Sequence, residues 1–340
     1  MSTTTPRLLV RGSINVDEFF TLEHIVRAGE TISSTAYSRR AGGKGANQSV
    51  AAAKAGAAVD FAGLVGTDGT WLKDTLGEYG VGLSLLSVDE ENPTGRAIIQ
   101  LSSSDGDNSI VLFPGANFSS HSPLSSLPPS GLSRYTHLLL QNEIPLDQTK
   151  SALRAAHATG LTTVFNPSPM LSVSDLAAFE WDVLDWLLIN AGEAEDLVRA
   201  LSPAGDKKAD GLTPEECLSE LRRLRLGSLE GIIMTRGADG VVASMKTGEL
   251  VSADAGKVVG GVVDTTGAGD CFTGYFATLL STLPRPSSST PLLTPTLQSI
   301  LSVSCQAAAM CCESHGAMES VPVLSAVKER MGASWPAELL

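Results

Sequence analysis

The chain has 340 residues and a formal net charge of −13, because 37 acidic residues outnumber 24 lysines and arginines. Nucleic acids and anionic membranes both require a basic binding surface, so this acidity argues against either as a partner. Hydrophobic residues make up 43% of the chain and charged residues 18%, which excludes a disordered or fibrous protein and suffices for one α/β core.

The start of the chain and its cysteines indicate the compartment. Residues 1–6 are polar and lack the basic-then-apolar pattern of a signal peptide, and no apolar run reaches the length of a membrane crossing. The five cysteines lack the paired spacing of a disulfide framework or a zinc site. The prediction is a protein of the reducing cytoplasm, with the nucleus left open as a second location.

The first third of the chain mixes strands with one alanine-rich helix. Residues 8–10 are predicted to form a buried strand, and Asn15 and Asp17 follow on one face of a second strand. Alone, that pair is better explained by a solvated edge strand than by a pocket for hydroxyl groups. The other elements predicted here are a β-prone segment over 31–37, a helix from 41–48 to Gly56, a strand over 59–65 and a helix over 69–79.

Two β-rich runs, 95–101 and 109–113, flank a turn that contains Asp105-Gly106 and predict a hairpin. Neither this hairpin nor the early segment over 14–38 alternates with helices. Both are therefore predicted to form a small separate sheet, packed over or beside the main one.

From Tyr135 onward the pattern alternates between strands and helices, which is typical of a mostly parallel sheet with helices on both faces. Strands are predicted over 137–141, 161–165, 183–189, 231–234 and 241–245, and helices over 146–157, 214–226 and 297–312. Ligands bind such sheets at the carboxyl ends of the strands. Polar residues predicted at or just after those ends are Glu143, Asn190, Thr235 and Asp264. Serine- and proline-rich stretches over 119–133 and 284–295 are predicted to be surface loops.

The stretch Asp264-Thr265-Thr266-Gly267-Ala268-Gly269-Asp270 precedes an apolar run over 271–280 that reads as a buried helix. A helix that begins in a glycine turn offers backbone N–H groups and a positive dipole end to an anion. A carboxylate is unfavourable beside an anion unless it has a function there. A carboxylate that accepts a proton from a nucleophile attacking the anion would indicate phosphoryl transfer. Because glycine and aspartate also suit helix caps, this stretch alone leaves the functional and capping interpretations equally open.

A second glycine cluster, Ala41-Gly42-Gly43-Lys44-Gly45-Ala46-Asn47-Gln48, opens the alanine-rich helix and favours the functional interpretation. Lys44 and Asn47 are three residues apart at the helix start and lie on one side of it. The cluster is not a Walker loop, because no serine or threonine follows the lysine. The later stretch lacks the third glycine of the dinucleotide fingerprint, since position 272 is phenylalanine.

Together the two glycine clusters resemble the two signatures of the ribokinase-like (PfkB) carbohydrate kinases. The first half of the chain, with Gly12-Ser13-Ile14-Asn15-Val16-Asp17 and Gly29-Glu30-Thr31, is also similar to members of this family. The resemblance covers about residues 8–322. It implies a three-layer α/β/α fold with a mostly parallel sheet and a small β-sheet lid. The lid would comprise about 14–41 and 95–114, and the large domain about 1–13, 42–94 and 115–340. Family lids often form a dimer interface, so a homodimer through the lid is expected.

The resemblance also assigns roles to individual residues. The residues implied to bind the sugar are Asn15, Asp17, Gly42, Gly43, Lys44, Asn47 and Glu143, with Asp270 as the catalytic base and Gly267, Ala268 and Gly269 as the anion hole. The residues implied to bind ATP are Asn190, Thr235, Arg236, Gly237, Ala238, Asp239, Gly240 and Gly269, with Glu193 placing Mg²⁺. The residues implied to bind K⁺ are Asp264, Thr266, Cys311, Ser314, Gly316 and Ser320. Cys311 and Ser314 depart from common family residues, and Ala191 replaces an acidic residue.

The reaction that the resemblance implies is ATP-dependent phosphorylation of D-ribose at the 5-hydroxyl. The nearest alternative is a kinase of the same fold that acts on fructose, a deoxyribose or a nucleoside. A non-catalytic sugar-binding relative is less favoured, because it would need neither Asp270 nor the glycine turn. A purely structural α/β module would leave both glycine clusters unexplained.

Overall fold

The structure is a computed structural model that describes residues 6–121, 123–124, 129–203, 211–285, 292–337 and 339. The predicted surface loops 119–133 and 284–295 lie partly outside these described residues, as does nearly all of the polar start of the chain. Within the described part of these stretches, residues 129–132 are helical and a long helix begins at Thr294.

In the described part of the chain, nine strands form the main sheet, with the order β13-β12-β11-β10-β9-β8-β1-β4-β5. They are β1 (Arg7–Arg11), β4 (Ala58–Gly66), β5 (Gly82–Asp89), β8 (His137–Gln141), β9 (Thr162–Asn166), β10 (Trp186–Asn190), β11 (Gly231–Thr235), β12 (Val241–Met245) and β13 (Leu250–Ala253). Neighbouring strands are parallel from β5 to β11, whereas β12 pairs antiparallel with both β11 and β13.

Four strands among the described residues form the small sheet, with the order β3-β2-β6-β7. They are β2 (Asn15–Leu22), β3 (Ala36–Gly42), β6 (Gly95–Ser102) and β7 (Asn108–Phe113). The predicted hairpin is the antiparallel pair β6 and β7, and β6 pairs parallel with β2. Asn15 and Asp17 lie on one face, in register with Gly42 and Arg40 of β3. A small sheet that stands apart from the main one is thus present, and its role as a lid stays a prediction.

The described helices flank the main sheet. They are α1 (Lys44–Lys54), α2 (Trp71–Glu78), α3 (Pro129–Leu132), α4 (Leu146–Thr159), α5 (Val173–Ala177), α6 (Ala191–Leu201), α7 (Pro214–Leu221), α8 (Ala268–Ser281), α9 (Thr294–Cys311) and α10 (Leu324–Met331). One buried core includes apolar residues of α1, α8 and α9 on one side of the sheet, and a second includes those of α4, α6 and α7 on the other. The predicted three-layer α/β/α class is confirmed.

The sheet order places the site. β1 pairs with β4 on one side and with β8 on the other, so the chain winds outward in both directions from the β1–β8 pair. Parallel α/β sheets bind ligands at such a switch point, outside the carboxyl ends of the strands. Gly12 and Ser13 follow β1 at this edge, and Asn142 and Glu143 follow β8.

The structure departs from the predicted elements in several places. β5, β13 and α10 were not predicted, because their sequences have weak hydrophobic periodicity. These elements form mainly through packing at the edges of the fold. The strand predicted over 31–37 lies at Ala36–Gly42, because pairing with β2 sets its register. The helix predicted over 214–226 ends at Leu221 and continues as a π-helical turn over Arg222–Leu226.

Candidate active site

Asp270 lies in the first turn of α8, which begins at a glycine turn. Gly267 is the N-cap residue and has a φ of 78°, a left-handed conformation that strongly favours glycine. The Ala268 N–H donates to the carbonyl of Thr265 at 3.2 Å, and the Cys271 N–H donates to that of Gly267 at 2.8 Å. Gly269 is exposed, and a Cβ added there would meet no atom within 4 Å. The helix N-terminus therefore opens onto space beside a buried carboxylate.

Close packing of α1 on α8 brings the two glycine clusters together. A Cβ added at Gly274 would lie 2.5 Å from the Ala51 Cβ and 2.7 Å from the Gln48 carbonyl oxygen. Only a residue without a side chain fits this crossing. Because Gly274 is one helical turn after Asp270, the crossing also sets the distance between Asp270 and the start of α1.

Two amides of α1 bind the Asp270 carboxylate. The Asn47 Nδ2 donates to Oδ2 at 3.0 Å, and the Gln48 Nε2 donates to Oδ1 at 2.9 Å. Asp270 is 7% exposed and Asn47 6%, so these hydrogen bonds lie in a largely dry environment. The aspartate and the paired-glycine segment thus share one cleft, which is the arrangement that phosphoryl transfer would require.

Lys44 and Glu143 lie next to this pair. The Glu143 Oε2 accepts hydrogen bonds from the Lys44 backbone N–H at 3.0 Å and from the Ser13 Oγ at 2.5 Å. The negative charges of Asp270, Glu143 and Glu193 raise the pKa of the Lys44 ammonium above its usual range, against the opposing effect of burial. Lys44 is therefore protonated at neutral pH and places a positive charge in the cleft.

Asn15 and Asp17 face this cleft from the small sheet. The Asn15 Oδ1 accepts a hydrogen bond from the Asn117 Nδ2 at 2.7 Å. The Asp17 carboxylate lies directly above the Cα of Gly42, where any side chain would overlap it. Burial, with smaller contributions from Glu143 and Asp270, raises the pKa of Asp17 to about 7.

Two oxygen atoms in this part of the cleft are buried without a hydrogen-bond partner, the Oδ1 of Asp17 and the Oδ1 of Asn47. Both are acceptors. An unsatisfied buried acceptor costs free energy, and a ligand that supplies donors would remove that cost. Hydroxyl groups on adjacent carbons would do so.

A cavity of about 510 Å³ lies on the other side of the α8 N-terminus. Thr235, Gly237, Ala238, Gly240 and Gly269, all predicted to bind ATP, line it. Its remaining lining is mostly apolar and includes Val258, Val262, Phe272, Ala308 and Ala309. Arg236 and Asp239, also predicted to bind ATP, do not line this cavity. The Arg236 Nη2 instead donates to the Asp239 carbonyl at 2.7 Å and closes the turn between them.

A smaller cavity of about 180 Å³ lies between this apolar cavity and the polar cleft around Asp270. Lys44, Asn190, Glu193 and Asp270 line it, and it shares Thr235 and Gly269 with the larger cavity. Asn190 and Glu193 form a reciprocal capping box at the start of α6, with hydrogen bonds of 2.9 and 2.8 Å. The predicted anion hole therefore lies where a large apolar cavity and a polar cleft meet.

Comparison with known proteins decides the family. Residues 5–324 match the pfkB family carbohydrate kinase. The chain belongs to this family. The family prediction made from the two glycine clusters is thus confirmed over nearly the whole chain.

Three of the relatives that the chain resembles are named ribokinase. A crystal structure of ribokinase from Cryptococcus neoformans var. grubii serotype A in complex with ADP is 44% identical, with a TM-score of 0.82 over 96% of this chain and 100% of that one. A structure of Arabidopsis thaliana ribokinase complexed with ribose and ATP has a TM-score of 0.80 at 27% identity, over 96% and 99%. The ribokinase of Haemophilus influenzae is 31% identical over 285 residues, 80% of this chain and 85% of that protein.

The residues of this kinase that were predicted to bind K⁺ lie close together around the loop after α9. The Asp264 carboxylate accepts hydrogen bonds from the Thr266 N–H at 2.9 Å and the Gly316 N–H at 3.3 Å. The Ser320 hydroxyl donates to the Gly316 carbonyl and lies 2.9 Å from the Cys311 Sγ. Ser314 is exposed. Within the described ranges, no cluster of three or more histidine, cysteine, aspartate or glutamate side chains is placed to hold a metal ion.

Four polar residues of the kinase site were not predicted from the sequence. They are Gln48, Asn117, Gln141 and Asn166. Gln141 and Asn166 are the last residues of β8 and β9, as Asn190 and Thr235 are of β10 and β11. A polar residue at the end of each successive apolar strand is a signal that the sequence carries and that could have found two of the four. Asn117 and Gln48 have no such local signal.

Among the described helices of the kinase, none combines the length and the hydrophobicity that a membrane crossing requires.

Proposed function

We propose that this kinase transfers the γ-phosphoryl group of ATP to the 5-hydroxyl of D-ribose, which yields ribose 5-phosphate and ADP. The observation that carries the proposal is the buried Asp270 carboxylate, bound by two amides of α1 at the N-terminus of α8. The relatives support the choice of ligands, because the Arabidopsis thaliana ribokinase was solved with ribose and ATP and that of Cryptococcus neoformans with ADP.

Asp270 is the proposed general base. It accepts the proton of the 5-hydroxyl as that oxygen bonds to the γ-phosphorus, while the bond from phosphorus to the bridging oxygen of ADP breaks. Backbone N–H groups at Gly267, Ala268 and Gly269 stabilise the charge on the transferring group, and Lys44 adds a positive charge beside it. Because phosphoryl transfer needs little covalent chemistry from the protein, positioning and charge stabilisation provide most of the acceleration.

The polar cleft is the proposed ribose site. The buried, unpartnered Oδ1 atoms of Asp17 and Asn47 accept hydrogen bonds from sugar hydroxyls, and Asn15 and Glu143 complete the polar wall. Gly42 and Gly43 leave room for the Asp17 carboxylate and for the backbone of Ile14 and Asn15, which lets Asn15 and Asp17 reach the cleft. A nucleoside would need an apolar surface for its base, and the cleft side chains are amides and carboxylates.

The larger cavity is the proposed site of the adenosine part of ATP. Its apolar walls suit a nucleobase, and Thr235, Gly237, Ala238 and Gly240 border the entry to the anion hole. Arg236 and Asp239 act by holding the turn that carries these residues. Asn190 and Glu193 line the smaller cavity, where the phosphates of ATP would lie.

Mg²⁺ and K⁺ are the proposed metal ions. Glu193 offers a carboxylate in the phosphate cavity, which suits a hard divalent cation. A monovalent cation is suited by oxygen ligands: the Asp264 carboxylate, the Ser320 hydroxyl and the backbone carbonyls of Thr266, Cys311, Ser314 and Gly316. The thiol of Cys311 is a soft ligand and does not suit this cation. When bound, Mg²⁺ neutralises phosphate charge and K⁺ strengthens the positive field of the anion hole.

We further propose a reducing compartment, the cytoplasm with or without the nucleus, and a homodimer. All five cysteines are free thiols, and four of them are buried, which suits a reducing environment. The homodimer is supported by the exposed apolar side chains of β7.

The experiment is an ADP-release assay with ribose, 2-deoxyribose, fructose and adenosine, each with and without K⁺. Ribose should give the highest kcat/KM, and K⁺ should raise it. Asp270→Asn should lower kcat by about 10²–10⁴-fold, because the proton acceptor is lost. Calorimetric ribose binding should survive in this variant, which serves as the matched control for folding. A higher kcat/KM for fructose or adenosine, or near-normal turnover by Asp270→Asn, would contradict the proposal.

A further inference from the structure

Gln48 is a fully buried residue of α1 whose whole amide is engaged. Its Nε2 donates to the Asp270 Oδ1 at 2.9 Å and to the Asn166 Oδ1 at 3.1 Å. Its Oε1 accepts a hydrogen bond from the Gln141 Nε2 at 2.6 Å. A primary amide has two N–H groups, so the amide of Gln48 can serve both acceptors at once.

A backbone carbonyl fixes the direction of these hydrogen bonds. The Asn166 Nδ2 donates to the Leu188 carbonyl of β10 at 3.0 Å. Because a carbonyl can only accept, Asn166 must direct its NH₂ group toward Leu188 and its oxygen toward Gln48. Gln48 must then present its own NH₂ group to Asn166 and Asp270. The series of hydrogen bonds from β10 to α8 has only one orientation.

This orientation restricts Asp270. With Gln48 donating to Oδ1 and Asn47 donating to Oδ2, each carboxylate oxygen has one fixed donor, so the plane of the group is set. A hydrogen bond donated to the charged form favours that form. The remaining lone pairs of Oδ2, on the side of Asn47 and the sugar cleft, can accept the proton of the attacking hydroxyl.

We propose that Gln48 is a positioning residue for the general base, whose hydrogen bond fixes Oδ1 of Asp270 and leaves Oδ2 to accept the substrate proton. This inference rests on the function proposed above. The roles assigned above for binding the phosphate and the sugar do not include Gln48. Its side-chain hydrogen bonds are with Asp270, Gln141 and Asn166, and Gln48 itself lines neither the larger nor the smaller cavity.

The other charges around Asp270 are unchanged when Gln48 alone is replaced. Lys44 of α1 and Asp17 of β2 interact electrostatically with Asp270, as do the thiols of Cys271 in α8 and Cys311 in α9. Lys44 is also influenced by Glu143 and Glu193, which face it across the cleft. A change in the titration of Asp270 in Gln48→Leu, which adds no charge, therefore reports the lost hydrogen bond.

The test is Gln48→Leu, which removes the donor and keeps a similar volume. We expect kcat at saturating ribose to fall about tenfold or more, and the acidic limb of the kcat profile, which reports the complex with bound sugar, to move up by about one to two pH units. Calorimetric ribose affinity should change much less, since Gln48 does not face the sugar. Gln48→Glu is the second variant, and its added carboxylate should raise the limb further.

Gln306→Leu is the matched control. Gln306 is also buried, and its amide bridges the backbone N–H and carbonyl of Lys257, both at 3.0 Å. Its loss should lower thermal stability and leave the acidic limb in place. An unshifted limb in both Gln48 variants would overturn the inference while wild-type turnover of ribose still upheld the proposed function.

A measurement without turnover separates the two proposals completely. The pKa of Asp270 can be followed by carboxyl ¹³C NMR, with the signal assigned by its absence from Asp270→Asn. It should rise in Gln48→Leu and stay unchanged in Gln306→Leu. An unchanged Asp270 pKa in Gln48→Leu would refute the positioning role whether or not ribose is the substrate.

Discussion

At the scale of single residues, the cleft is defined by unpaired acceptors and by the charges around them. Asp270 and Asn47 are 223 positions apart and share a hydrogen bond of 3.0 Å. Asp17 adds a second carboxylate from the small sheet, and its Oδ1 has no partner. Two carboxylates in one cleft cannot both be charged without cost. Burial raises the pKa of Asp17 to about 7, and the charges of Glu143 and Asp270 add smaller contributions.

This raised pKa gives a prediction for ribose binding. Sugar hydroxyls donate best to the ionised carboxylate, and Asp17 is mostly protonated below pH 7 in the free protein. Ribose affinity measured by calorimetry should therefore rise about tenfold between pH 6 and pH 8. Asp17→Asn should bind ribose more weakly and with little change over this range. Equal wild-type affinity at both pH values would contradict the assignment.

The same shift has a defined effect on stability. A carboxylate with a pKa of about 7 in the native state and 3.8 when unfolded binds more protons in the native state between those values. The free energy of unfolding without sugar should then fall as the pH rises from about 4 to about 7, and the slope should be smaller in Asp17→Asn.

At the scale of elements, the contact between α1 and α8 determines the site. Both helices start at glycine-rich turns on the same edge of the main sheet, and both are buried along most of their length. Their crossing at Gly274 brings Asn47 and Gln48 within hydrogen-bond distance of Asp270. A small change in the spacing of the two helices would therefore act directly on the proposed base.

Gly274→Ala tests this crossing. The added methyl group would overlap Ala51 and the backbone at Gln48, so α8 must shift away from α1. We expect the free energy of unfolding in urea to fall by about 1–3 kcal/mol, as for other overpacked cores. The same shift should lengthen the hydrogen bonds to Asp270 and lower kcat.

Gly77→Ala in α2 is the control for a glycine replaced within a helix. A Cβ there would lie 3.4 Å from the nearest atom, a Leu83 methyl carbon, which is ordinary contact. This variant should keep its activity and be no less stable than wild type, because alanine favours helix. If Gly274→Ala behaved like Gly77→Ala, the crossing would not control the site.

At the scale of the whole molecule, the small sheet presents an unusual edge. β7 is one of its two edge strands. Four consecutive apolar side chains of β7 are each between 46% and 56% exposed: Ile110, Val111, Leu112 and Phe113. Edge strands with consecutive exposed apolar residues favour association, and natural monomers usually protect them. The proposed homodimer would cover this edge.

The paired change Ile110→Lys and Leu112→Lys tests the homodimer. Sedimentation equilibrium should give a dimer for the wild-type protein and a monomer for this variant, because charges at the interface are costly to bury. Val88→Lys is the control, since Val88 is an exposed residue of β5 in the main sheet. A wild-type monomer, or a dimer that survives both lysines, would contradict an interface at β7.

Much of the fold followed from local pattern. The strands β8 and β12 were predicted with the bounds that the structure has, because short apolar runs between turn residues leave little choice. The two glycine clusters indicated two helix starts and a family, since their backbone requirements are local. The structure placed β3 five residues later than predicted, because strand register depends on a partner that is distant in sequence.

The sequence by itself determined the fold class, the family and the chemistry that the two glycine clusters can support, because each depends on short runs of residues. Only the tertiary structure decided that Asn47 and Gln48 bind Asp270, that Thr235 and Gly269 join two cavities, and that Asn166 orients Gln48. These contacts link residues on different elements, and the sheet order and the crossing at Gly274 determine them. No local preference encodes such distances, so they appear only when the whole chain packs.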